Sequence, residues 1–188
     1  MRIEDIDTPP LEPVELGYAK TFLRVDTDDE DALITDMIRA GRERVESLTA
    51  SSLIMRRRLY VSDAVAQPHL FINHTPVSAV LAVSVVNHAG VATEIALSDL
   101  DINLRSQPAA ISLKSGECFT DKGENICAAE IEIDAGYGAG VDDVPMPLRQ
   151  AILLLVADGY EHRDQVGGRP AVPMMVDALL MPYRSLRL

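Results

Sequence analysis

The 188-residue chain carries 29 acidic against 17 basic residues, a net charge of −12, and a 4 % aromatic content without tryptophan. A surface of that sign repels phosphate backbones and excludes a nucleic-acid binder that works by counterion release. The length suits one domain, with a core of aliphatic side chains.

The N-terminus, MRIEDIDTPP, has acids where a signal peptide needs an apolar run, and the longest apolar run, Ala151–Ala157, falls far short of a membrane span. Synthesis in the cytosol and no membrane partner are expected. After prolines 9, 10 and 13, Leu16, Ala19, Phe22 and Leu23 stand at helical spacing. Asp28 is a candidate N-cap for a second helix, with Asp29, Glu30 and Asp31 in the first turn, where the helix dipole favours negative charge. Leu33, Ile34, Met37, Ile38, Gly41, Val45 and Leu48 then trace one face of a helix over 28–49.

From Ile54 the period changes to two. Leu59 and Val61 alternate with Arg58 and Tyr60, Val77–Val86 is valine-rich, Asn87–Gly90 supplies a turn, and Val91–Ile95 and Ala110–Leu113 follow. Ile131 and Ile133 alternate with Glu130, Glu132 and Asp134, completing a mostly antiparallel sheet over 54–135. The polar stretch Ser115–Asn125 reads as an exposed loop. Pro145 and Pro147 suit the opening of a helix running to about Arg163, because a proline's missing N–H has no partner there anyway. Gln165–Pro170 breaks that helix; a shorter one spans 174–181, stopped by Pro182, and YRSLRL trails beyond. The expected class is α+β: about four helices in one domain, with the sheet inserted between the second and third, and helix 28–49 packed on helix 147–163.

Chemical motifs are sparse. A calcium loop counted from Asp26 needs Gly sixth and Glu twelfth, and those places hold Asp31 and Met37. His69, His74, His88 and His162 have no metal-ligand spacing, and no GxSxG frames a nucleophile. Cys118 and Cys127 suit neither a redox CxxC nor a zinc site and read as reduced thiols. Gly136, Gly138 and Gly140 in DAGYGAG depart from the dinucleotide fingerprint GxGxxG, and no parallel strand follows them. They are expected to form a tight exit turn from the last strand, with Tyr137 as a packing anchor. Arg56, Arg57 and Arg58 are expected to pair with carboxylates of this chain or of a neighbouring copy. No catalytic, cofactor or metal site emerges.

The block AGYG followed by DVPMPLRQAILLLVADGYEHRD resembles the C-terminal half of the head-tail connector (adaptor) proteins of long-tailed phages and gene transfer agents. EPVELGYAKTFLRVDTDDEDALITDMIRAGRERVESLT is similar to that family's opening helices, and DALLMPYRSLRL to its ending. The family often has a Gly and a basic residue after the Thr of the second helix, and an aromatic in the next strand. Here Ala50, Ser51 and the Arg56–Arg58 run stand there.

The resemblance implies a structural virion protein: a homo-oligomeric ring, dodecameric when assembled and with subunits monomeric in isolation, joining the portal to a tail-side connector protein. DNA passes through its channel without specific binding, and an acidic lining would prevent sticking. It implies residence at the head–tail junction of the virion, with assembly in the host cytoplasm or expression from a prophage. Ring contacts are heterologous, so each copy needs two different surfaces. Asp28, Asp29 and Asp31 are the candidates for one, and Arg42, Arg56 and Arg58 for the other. The tail, with Tyr183, Leu186 and Leu188 as apolar anchors and Arg184 and Arg187 as cations, is the candidate portal-docking element. A small cytosolic enzyme and a non-viral protein-binding module stay open as alternatives.

Overall fold

The structure is a computed structural model that describes residues 2–63, 65–122, 125–162 and 173–184. It is α+β, with four helices and antiparallel sheets among the described residues. The chain divides into two compact units, one made of residues 1–9 and 55–136, the other of 10–54 and 137–188.

The first unit holds β1 (Arg2–Asp5), β2 (Arg56–Ser62), β3 (His69–Ile72), β4 (Val77–Asn87), β5 (Ala92–Ile95), β6 (Leu100–Asn103), β7 (Ala109–Leu113) and β8 (Ile126–Ala135). They form a five-stranded sheet, β1-β2-β8-β4-β5, and a three-stranded sheet, β3-β7-β6, with every strand pairing antiparallel. The expected single insertion is therefore two sheets, and one strand, β1, comes from in front of the helices. The inward phase of β8 is Ala129, Ile131, Ile133 and Ala135, all fully buried, and the register sets Val83 opposite Ile131 and Val85 opposite Ala129. Leu70, Ile72, Ile111 and Leu113 of the smaller sheet complete the same core. Each such side chain contributes about 1.5–3 kcal/mol by leaving water.

The period-two reading of β2 holds, but β8 sets its phase. Arg58 lies opposite Ile133 and Tyr60 opposite Ile131, so Arg56, Arg58, Tyr60 and Ser62 form the buried face while Leu59 and Val61 are half-exposed. The stretch 115–125 is not simply an exposed loop: Phe119 opens a 3-10 turn, Phe119–Lys122, and is fully buried in the sandwich core.

The second unit holds α1 (Leu16–Leu23), α2 (Asp31–Thr49), α3 (Met146–Glu161) and α4 (Met174–Leu180). α2 packs on α3 as expected. Ile34, Ile38 and Val45 are buried in one cluster with Leu148, Ala151, Ile152 and Val156, and a Cβ at Gly41 would lie 3.2 Å from Ile152 Cγ2. α2 starts three residues later than the sequence suggests, because Glu30 occupies the N-cap position and Asp28 instead closes a turn, its carbonyl accepting the Asp31 N–H at 3.3 Å. Arg163 and the break at 165–170 lie outside the described residues.

The glycines of DAGYGAG are structural. Gly136 has φ 145°, open to glycine, and a Cβ at Gly138 would fall 2.2 Å from Asp143 Oδ2. That carboxylate accepts the Gly140 N–H at 2.8 Å and closes the turn ahead of α3. Tyr137 is half-buried against the helical core, its N–H donating to the Leu53 carbonyl at 3.2 Å.

Candidate assembly surfaces

The acidic start of α2 is brought together much as the sequence suggests. Lys20 on α1 reaches both Asp28 and Asp31 at 2.6 Å. Those two carboxylates hold the Lys20 ammonium above the usual lysine value, and Lys20 holds Asp28 below the usual carboxylate range. Asp28 nevertheless keeps its side chain 90 % exposed, and Asp29 is exposed, so the cluster presents net negative charge outward. Behind it, the Tyr160 hydroxyl donates to the Glu30 carboxylate and ties the last turn of α3 to the start of α2.

The candidate basic surface lies inside the chain. Arg42 is 3 % exposed; its Nε donates to Glu12 at 2.7 Å and its Nη1 to Glu46 at 3.0 Å. Glu46 also accepts the Leu53 N–H at 2.8 Å, so the network clamps the segment leaving α2. Arg56 and Arg58 belong to the sandwich unit, where each places Nε 2.8 Å from Asp5. Beside them His74 is buried, with Nε2 3.4 Å from Arg58 Nη1; desolvation and the two guanidiniums push its pKa down to about 3. Of the three consecutive arginines, Arg56 and Arg58 pair with a carboxylate of the same chain, and Arg57 is exposed. Withdrawing the Arg42 guanidinium costs several kcal/mol, because Glu46, with 8 % of its side chain exposed, is left buried without that cation.

Tyr183 and Arg184, the first residues of the candidate portal-docking tail, are held by the helical unit. Tyr183 packs partly buried on its core, and Arg184 Nη2 lies 2.6 Å from Asp177 Oδ1. Leu186, Arg187 and Leu188 lie outside the described residues.

Two apolar features of the same unit were not singled out from sequence. A groove of about 320 Å3 runs between the segment entering α1 and the first half of α2, lined by Leu11, Leu16, Ile38 and Val141, with Glu12 and the exposed Glu15 among its walls. On α4, Val176 and Leu180 are buried in the core, four residues apart, while Met174 and Met175 on the helix and Met181 just past its end are 87 %, 66 % and 66 % exposed. The i, i+4 spacing of the inward pair was the available signal. Among the described residues no group of three His, Cys, Asp or Glu is placed to hold a metal ion, and no helix is long and apolar enough to cross a membrane. Cys118 and Cys127 are free thiols.

Residues 14–111 match the sequence profile of the phage gp6-like head-tail connector proteins. The chain belongs to this family. Its fold is similar over its whole length to a chain in the neck of an empty gene transfer agent particle computed with C6 symmetry, at a TM-score of 0.81 and 26 % identity, covering 97 % of that chain. A chain in the virion of a native gene transfer agent particle gives 0.75 at 27 % identity, and one in a native neck computed with C12 symmetry gives 0.72 at 26 %, each again with 100 % and 97 % coverage. No curated protein matches the chain. As a head-tail connector it is a structural virion protein.

Proposed function

We propose that the chain is one subunit of a ring of twelve in the neck of a phage or gene transfer agent particle, acting as a single connector domain and without catalysing a reaction. The ring joins the portal to the next protein on the tail side and leaves a channel for DNA. The observation that carries this reading is end-to-end similarity to neck chains, with 100 % of this chain and 97 % of the other superimposed at a TM-score of 0.81. A shared domain borrowed for another purpose would leave part of one chain unmatched. Assembly takes place in the host cytoplasm, and the acidic balance of −12 keeps packaged DNA from adhering on its way through.

Within the ring, Asp28, Asp29 and Asp31 form part of one subunit contact, with the exposed Asp28 and Asp29 presenting charge to a neighbour. Arg42, Arg56 and Arg58 support the subunit from inside, so the basic side of that contact falls to exposed arginines such as Arg39 and Arg44 on α2. Portal docking falls to the tail, through Tyr183, Arg184, Leu186, Arg187 and Leu188, of which Tyr183 packs on the helical core and Arg184 pairs with Asp177. Deleting the gene from its phage or transfer-agent locus should yield DNA-filled heads and free tails that never join; intact tailed particles in the deletion strain would refute the connector role.

A further inference from the structure

The C-terminal tail leaves the helical unit at a place where the chain is held. The unit ends in a 3-10 turn, Met181–Tyr183, in which Pro182 has no N–H to carry a helix onward. Arg184 follows with φ −74° and ψ 128°, so the chain departs in extended form. The Arg184 N–H donates to the Met181 carbonyl at 3.4 Å and closes the turn. Its guanidinium reaches seven residues back, Nη2 donating to Asp177 Oδ1 at 2.6 Å, with 35 % of the Arg184 and 46 % of the Asp177 side chain exposed. One residue earlier, Tyr183 stands partly buried in the helical core together with Tyr137 of the AGYG turn. Burial and the neighbouring Tyr183 raise the Tyr137 phenol above the usual tyrosine value.

An ion pair this exposed adds little to the stability of a fold. What it does here is restrain the residue from which the tail's anchors, Leu186 and Leu188, begin. Resting on the reading that this tail docks on the portal, we propose that Asp177 is a positioning residue for that docking: by holding the Arg184 guanidinium it sets the point and direction from which the tail reaches the portal. A residue ordered before docking is one whose freedom docking does not have to remove, so the pair adds affinity without touching the partner. The seat of Tyr183 beside Tyr137 acts in the same sense.

The test measures binding of the full-length chain to portal rings of the same particle by biolayer interferometry. Asp177→Asn and Arg184→Gln should each weaken it about two- to fivefold, and the double variant should lose no more than either alone, because the two side chains act through one contact. Asp177 also lies in the first turn of α4, where the helix dipole favours a carboxylate, and the Arg184→Gln arm leaves that dipole contact untouched. Asp177→Glu, which keeps the charge, should bind more tightly than Asp177→Asn, and the deficit of Asp177→Asn should narrow as salt is added. Full affinity in Asp177→Asn, or single losses that add in the double variant, would overturn the assignment. No binding by the native chain, or full affinity in a chain ending at Pro182, would instead defeat the tail reading itself, so the two failures are distinguishable.

Discussion

Ala50 shows how one residue records a compromise. It follows the last turn of α2 with φ 51° and ψ 47°, a left-handed conformation, and its N–H caps the Glu46 carbonyl. A Cβ in that region costs about 1 kcal/mol, and glycine is the residue that ends helices this way without strain. The family's frequent glycine at this place thus has a backbone reason, and Ala50→Gly is expected to stabilise the chain by about 0.5–1 kcal/mol in urea unfolding. Arg42 is the opposite case. Its guanidinium is shared between Glu12 and Glu46, and Arg42→Ala leaves Glu46 buried without that cation; a loss of about 3 kcal/mol is expected from the same measurement. His74 adds a pH dependence. Its pKa falls from 6.5 to about 3 on folding, so the unfolded chain binds the extra proton. The stability this group contributes is complete above pH 6.5 and is lost as pH falls from there toward 3. Between about pH 5 and 6.5, above the usual carboxylate range, the unfolding free energy of the native chain should slope with pH, and that of His74→Gln should be flatter. Equal slopes would show that His74 does not titrate on unfolding.

At the scale of elements, what could be read from sequence depended on whether local pattern or pairing decides the structure. α2 has a long apolar stripe and was legible within three residues at its start; only the cap was misplaced, since Asp28 and Glu30 are both acids and side-chain type alone does not separate them. β1 was not legible, because RIED has a single apolar residue and becomes a strand only by pairing with β2, Arg2 opposite Val61 and Asp5 opposite Arg58. The phase of β2 was hidden for a related reason: the alternation of β8 fixes which face is buried, and three arginines in a row do not reveal it. Gly41 is a positional requirement of the α2–α3 packing, where Ile152 Cγ2 stands 3.2 Å from the place of a Cβ. Gly41→Leu should push the helices apart and cost about 1–3 kcal/mol, read as a lower melting temperature; an unchanged transition would show that the interface has slack.

For the molecule as a whole, the connector role was legible because three blocks of sequence stand in family order across nearly the whole chain. The assembly surfaces were less so. The acidic run Asp28–Asp31 is local in sequence, so its charge could be read in advance, and it is exposed at Asp28 and Asp29. The arginines could not be sorted from sequence into interior and surface, because their carboxylate partners lie far along the chain, Glu12 for Arg42 and Asp5 for Arg56. If the acidic patch forms part of a ring contact, Asp29→Lys should weaken incorporation several-fold and more so at low salt, since an exposed ion pair is screened by added salt. Incorporation equal to that of the native chain at all salt concentrations would remove the patch from the contact.

The central claim, that this chain forms the connector ring of a neck, is tested most directly by cryo-electron microscopy of particles from a host that encodes it. The reconstruction should place twelve copies in a closed ring between portal and tail, each with the sandwich and helical units described above. A neck whose density at that level is filled by another protein, with this chain absent, would contradict it.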